Sequence, residues 1–360
     1  MFMSLTAILD DRSKIKEIDP DGALASAESI TDQVRQVWEE QDQIDVSAYK
    51  NIQNIVVAGM GGSALGADLV RNLYKEELPV SLEICKDYEL PNYVGQNTFV
   101  ILSSYSGSTE ETLNCAAEAN KKGAMIAVIA SGGKLGQLAK EKNYPSYFIN
   151  PKFNPSNQPR MATAYNIMAI IVMLKKLGLI KFDEEDFDQV IFAIEKTTQN
   201  CVIEVAQDKN QAKLLAYMFL ERRPILVGAS FLEGALHIGA NQLNENSKIY
   251  GDYKIIPEIN HHLLEGLTFP KSNALNHFFV FFQSNLYRSE IQKRIDLTQK
   301  AVEKAGLESL IIHLVSETKL MQAFELLTLN TFTNLYLAYL EGMDPCPIPM
   351  VDWFKAELEK

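Results

Sequence analysis

Two glycine- and serine-rich turns constrain this chain most: Gly59-Met60-Gly61-Gly62-Ser63-Ala64-Leu65 and Ser103-Ser104-Tyr105-Ser106-Gly107-Ser108-Thr109-Glu110-Glu111-Thr112. Each follows an apolar run that reads as a buried strand, Ile52 to Ala58 and Thr98 to Ser103. Each precedes a stretch with helical spacing, Ser63 to Tyr74 and about Thr109 to Lys121. A strand that passes directly into a helix, and does so repeatedly, builds parallel strands joined by helical crossovers. Both turns set hydroxyls and free backbone N–H groups at a helix start, an arrangement suited to a phosphate monoester on a small molecule.

The same alternation continues along the chain. Strands are expected at Val80 to Ile84, Ala124 to Ala130 and Ser146 to Ile149, with helices at Ala23 to Glu40 and Lys134 to Lys142. The turn-rich segment Asn150 to Pro159 marks a boundary, giving domains over 1–155 and 156–360. Beyond it, helices are expected from Ala162 to Leu177 and within Glu184 to Leu220. Pro224 to Ser230 then echoes the first strand and turn. Strands at His277 to Phe282 and Ser309 to Leu314 alternate with helices at Ser289 to Ala305 and Thr318 to Leu340. A last helix, Val351 to Glu359, follows a proline-rich approach. The fold class is α/β, with two doubly wound parallel sheets of flavodoxin-like type and a C-terminal helix.

Composition narrows the partners. The 360 residues carry a formal net charge of -12, which disfavours nucleic acid and anionic membrane, both polyanions. A single phosphate is a different case, because local dipoles hold it against the overall charge. The four cysteines, Cys85, Cys115, Cys201 and Cys346, form no CxxC pair and read as free thiols. Met1-Phe2-Met3-Ser4-Leu5 has no basic region leading into a long apolar core, and a cytoplasmic location is expected.

Two other readings of the turns stand beside phosphate binding. The first turn also fits the dinucleotide pattern G-x-G-x-x-A, with Glu83 available as a ribose-binding acid. Ser108-x-x-Glu111 fits a capping box. A capping box accounts for one serine of the second turn and not for its run of hydroxyls. A dinucleotide domain has no use for a hydroxyl cradle after a later strand.

The two turns resemble the phosphate-binding elements of the sugar isomerase domain. Gln158-Pro159-Arg160, Asn244-Glu245-Asn246-Ser247-Lys248, Pro257-Glu258-Ile259-Asn260-His261 and Val351-Asp352-Trp353-Phe354-Lys355 narrow the resemblance to the bifunctional phosphoglucose/phosphomannose isomerases. It implies that Gly62, Ser63, Ser104, Ser106 and Thr109 hold the substrate phosphate. It implies further that Glu245 is the base, that His261 opens the sugar ring, that Lys355 assists near the ring oxygen, and that Arg160 lies by the reacting carbons. The family's active site forms between two such domains, with the histidine supplied by the second subunit of a homodimer. This chain departs from the family pattern at Ser108, where asparagine is usual, and at His262, which leaves two imidazoles as candidates.

The chemistry suits these residue types. Interconverting an aldose and a ketose phosphate moves one proton between adjacent carbons through an enediolate, which a carboxylate can perform as base and then as acid. A histidine titrates near neutrality, and an arginine is a permanent cation beside developing negative charge. No H-x-x-x-H pair exists, and neither metal nor cofactor is expected. The alternatives are a non-catalytic phosphosugar sensor, an amidosugar-phosphate isomerase or lyase, and a nicotinamide dehydrogenase.

Overall fold

The computed structural model describes residues 8–358 and residue 360. The segment read for a leader, Met1 to Leu5, and Glu359 at the end of the last helix lie outside the described residues. Helices α1 (Arg12–Ile18), α2 (Ala23–Glu28) and α3 (Ile30–Glu39) lead into β1 (Asn54–Ala58). There follow α4 (Gly62–Leu73), β2 (Ser81–Cys85), β3 (Thr98–Ser103), α5 (Glu110–Lys121), β4 (Met125–Ala130), α6 (Gly133–Lys142) and β5 (Ser146–Phe148). The five strands are parallel, in the order β2-β1-β3-β4-β5. Every residue of β3 is buried, as are Ile55 to Ala58 of β1, because helices cover both faces of the sheet.

After α7 (Thr163–Lys176), α8 (Glu184–Cys201) and α9 (Gln211–Phe219), the pattern returns. The second unit runs β6 (Arg223–Ala229), α10 (Glu233–Glu245), β7 (Asp252–Ile256), β8 (His277–Gln283), α11 (Ser289–Lys304) and β9 (Glu308–His313). Its parallel order, β7-β6-β8-β9, repeats the topology of the first sheet, as the echo at Pro224 suggested. Helix α12 (Lys319–Leu340) is apolar around most of its circumference and is accordingly buried along nearly its whole length. Helix α13 (Pro349–Leu358) closes the order and buries none of its residues. Among the described residues, no helix is long and apolar enough to cross a membrane.

Two departures from the sequence reading have local causes. The helix expected from Ala23 to Glu40 breaks at Ser29, whose hydroxyl donates to the Ala25 carbonyl at 2.8 Å, a back-bond that bends helices. Strand β7 carries Asp252 and Lys254 among half-buried residues and lacks alternation, as befits an edge strand.

The two sheets share one hydrophobic core, and α4 packs against α10 within it. A Cβ on Gly234 would stand 2.2 Å from Leu69 Cα, so glycine is what allows the two helices to approach. One turn further along, Asp68 accepts from His237 Nδ1 at 2.7 Å and from Lys86 Nζ at 2.9 Å. Burial alone would raise the Asp68 carboxyl, but these two partners hold it below the usual range. Gly234→Ala is therefore expected to destabilise the protein by about 3 kcal/mol, the cost of overpacking a tight core. Urea unfolding measures this, and an unchanged midpoint would contradict the close approach.

Candidate active site

The two serine turns lie at the C-terminal ends of β1 and β3, which are neighbours. In a sheet of order 2-1-3-4-5 this is where the chain reverses direction of build, and the crevice beyond the strand ends is the usual ligand position. The turns are bonded to each other: Tyr105 N–H donates to Ser63 Oγ at 2.9 Å, and Ser103 Oγ donates to the Ser63 carbonyl at 2.8 Å. Ser104 Oγ and Thr109 Oγ1 lie 2.8 Å apart, and Gly107 N–H donates to Ser104 Oγ at 3.1 Å. Ser106 is exposed and receives Ser108 N–H at 3.3 Å.

The capping box considered for Ser108 and Glu111 does not form. Helix α5 starts at Thr109 with no side-chain cap, and α4 starts at Gly61 with none. By contrast, Asp183 and Asp186 complete such a box at α8. The first N–H groups of α4 and α5 thus lack a side-chain cap; in α4 those of Ser63 and Ala64 donate to the Met60 and Gly61 carbonyls at 3.1 and 3.0 Å, while the positive pole of each helix still faces the crevice.

Arg160 is wholly buried, and each of its five N–H donors is used. Nε donates to Asn246 Oδ1; NH1 donates to Gln158 Oε1 at 2.9 Å and to Glu245 Oε2 at 3.4 Å; NH2 donates to the carbonyls of Pro345 at 2.7 Å and Cys346 at 2.8 Å. Its own carbonyl accepts from Gln242 Nε2 at 3.1 Å. Gln242 in turn accepts from Thr331 on the buried helix α12. The Pro159–Arg160 backbone also presses on the first turn of α4. A Cβ on Gly62 would lie 3.0 Å from Arg160 N, so this glycine brings the first serine turn against the arginine segment.

The structure thus sets Gly62 and Ser63 against the turn that carries Ser104, Ser106 and Thr109, with Ser106 exposed on that turn, and joins the first turn, through the Arg160 backbone, to the segment that meets Glu245. Lys355, exposed on α13, is close enough for its charge to act on Glu245. His261 is not brought to Glu245 within one chain; it sits exposed on the loop after β7, and its neighbour His262 is bonded to Glu258 at 2.7 Å.

Sequence reasoning missed Tyr105, whose hydroxyl accepts from Asn154 and donates to Asn157, both at 3.0 Å, fastening the second turn to the chain reversal before Arg160. It also missed Asn166, which donates to Ser103 Oγ at 2.6 Å. Tyrosine within a serine run was the available signal for the first, and none existed for the second. One grouping of acid and thiol donors occurs among the described residues, Asp19, Asp344 and Cys346. Asp19 already accepts from Ala23 N–H, Leu24 N–H and the Tyr339 hydroxyl, so its oxygens are committed to structure.

Residues 208–358 match the family described as the bacterial phospho-glucose isomerase C-terminal SIS domain. Over 343 residues the chain is 31% identical to a bifunctional phosphoglucose/phosphomannose isomerase of Caldicellulosiruptor bescii, covering 92% of this chain and 98% of the relative. Over 325 residues it is 28% identical to the protein of the same description from Aquifex aeolicus, covering 90% and 94%. In fold it is similar to the crystal structure of a hypothetical protein from Thermus thermophilus, with a TM-score of 0.78 and 15% identity, covering 99% of this chain and 94% of that one.

Burial raises the Glu245 carboxyl above its ordinary range, and Arg160, Lys248 and Lys355 partly offset the rise. The folded protein therefore holds this proton more tightly than the unfolded chain does. The ionised carboxylate costs stability at neutral pH, and the cost fades as pH falls below the ordinary glutamate range, where both states are protonated. Glu245→Gln, whose amide oxygen can still accept from Arg160, is expected to raise the melting temperature at neutral pH and to match the parent below about pH 4. A lower melting temperature at neutral pH would contradict the assigned burial cost.

Proposed function

The chain belongs to the bifunctional phosphoglucose/phosphomannose isomerase family, and on that premise we propose that it interconverts glucose 6-phosphate and mannose 6-phosphate with fructose 6-phosphate by proton transfer through an enediolate. The observation that carries the reading is the abutment of the two serine turns, through Gly62, against the Arg160–Glu245 pair. The phosphate is held by Ser63, Ser104, Ser106, Thr109 and the starts of α4 and α5. Glu245 takes the proton from C2 of the open aldose, O1 gains a proton as the enediolate forms, and Glu245 returns its proton to C1 while the O2 hydroxyl gives one up, leaving the ketose with no net change in protons. Its raised proton affinity favours this double role, since a carboxylate that binds its proton more firmly is the stronger base.

Arg160 has no donor left for a substrate, so it serves by orienting Glu245 and by placing a fixed positive field beside the enediolate. Lys355 acts near the ring oxygen. Ring opening falls to His261 of a second copy, which suits its exposure on the surface. Helix α13 supports a homodimer as well: Met350, Val351, Trp353, Phe354 and Leu358 are all exposed, more apolar surface than a lone helix leaves in water without a purpose. The four free cysteines are buried, which is in keeping with a reducing compartment such as the cytoplasm.

Glu245→Gln is expected to lower kcat by roughly a thousandfold, the contribution of a positioned acid–base group. Its thermal-shift response to fructose 6-phosphate should persist, because the phosphate crevice is untouched. A coupled assay that finds substantial turnover would reject Glu245 as the base. Sedimentation at micromolar concentration is expected to give twice the mass of the chain, and a monomer active at the same concentration would reject the shared site.

A further inference from the structure

We propose that Lys248 is a positioning residue for Glu245, its ammonium locking the carboxylate-bearing end of α10 to the segment that leads into α13. Nζ donates to the carbonyl of Glu245 at 2.8 Å, to that of Asn246 at 3.3 Å and to that of Pro345 at 2.8 Å. The Pro345 carbonyl also receives Arg160 NH2, so two cations meet on one acceptor. The first two carbonyls are among those that the end of α10 leaves free, at the negative pole of the helix.

The backbone offers a second, independent observation. Lys248 has φ of 55°, the left-handed region that glycine occupies with less strain and that usually holds glycine after a helix. A lysine there is justified by its head group, since the turn itself would form more easily without a side chain. Ser247 beside it is anchored too, its hydroxyl donating to the Asn334 carbonyl of α12 at 2.6 Å. The turn after Glu245 is therefore pinned on both sides, to the core helix and to the strap at Pro345.

The charged groups around the ammonium are Arg160, Asp344 and Glu245, with the Cys346 thiol, pushed up to about 12 by burial, neutral beside them; those around the Glu245 carboxyl are Arg160, Lys248 and Lys355. Burial and the nearby Arg160 bring Lys248 down to about 8, which leaves it mostly protonated at neutral pH. A fixed cation here has two effects on a carboxylate that must alternate between its charged and neutral forms. It holds down the proton affinity that burial raises, and it ties the backbone under Glu245 to the approach to α13.

The inference rests on Glu245 being the base, and the test separates the two claims. In the full-length protein, the Glu245 carboxyl is titrated by carbon-13 NMR, with Glu245→Gln identifying its resonance. Lys248→Met is expected to raise the Glu245 midpoint by about one pH unit. The acid limb of kcat/KM should move with it, and kcat should fall roughly 10- to 100-fold. KM for fructose 6-phosphate should change less than about threefold, since the phosphate crevice is intact. Lys248→Arg, which keeps the charge and the donors, should restore both midpoint and kcat. Should Lys248→Met not fold, Lys248→Gln, uncharged but able to donate to one carbonyl, carries the same expectation. A Glu245 midpoint that stays put in the uncharged variant overturns the proposal. Turnover by Glu245→Gln would instead overturn the base assignment, and the titration would still decide the role of Lys248.

Discussion

A guanidinium sealed from water is costly unless every donor is met, and Arg160 meets that demand with five acceptors drawn from three separate parts of the chain. Gln158 comes from the segment between the two sheets, Glu245 and Asn246 from the end of α10, and the carbonyls of Pro345 and Cys346 from the approach to the last helix. Removing any one leaves a buried donor unpaired, so the requirement fixes where these segments lie relative to one another. The same residue presses its backbone against Gly62. The serine-turn crevice and the carboxylate are thus held at a set separation by one buried cation.

The crevice and the carboxylate belong to different sheets of the same topology. The serine turns follow β1 and β3 at the reversal point of the first sheet, and Glu245 ends the helix after the first strand of the second. Helices α4 and α10 join the two, in contact at Gly234 and through Asp68 and His237. Helix dipoles and hydroxyls can hold a phosphate without adding a basic cluster next to Glu245. A lysine-lined phosphate pocket would lower the proton affinity of a nearby base. A neutral one leaves that affinity to burial, Arg160, Lys248 and Lys355.

Much of this was legible in the sequence where the signal is local. Apolar runs such as Ile55 to Ala58 and Thr98 to Ser103 mark buried parallel strands, and the glycine and serine turns after them mark helix starts. What was not legible depends on partners distant in sequence. Tyr105 gains its role from Asn154 and Asn157, and Lys248 from Pro345, pairings that no spacing reveals. Strand β7 escaped because an edge strand with charged residues carries no alternation. Arg160 was legible as a cation near Glu245, whereas the commitment of all its donors to the protein emerges only from the packing.

The most direct test of this account is a crystal structure of the protein with fructose 6-phosphate bound. The phosphate oxygens are expected within hydrogen-bond reach of Ser63, Ser104, Ser106 and Thr109, and the Glu245 carboxylate against C1 and C2 of the sugar. A sugar phosphate bound with its anionic end elsewhere, or with its first two carbons out of reach of Glu245, would contradict it.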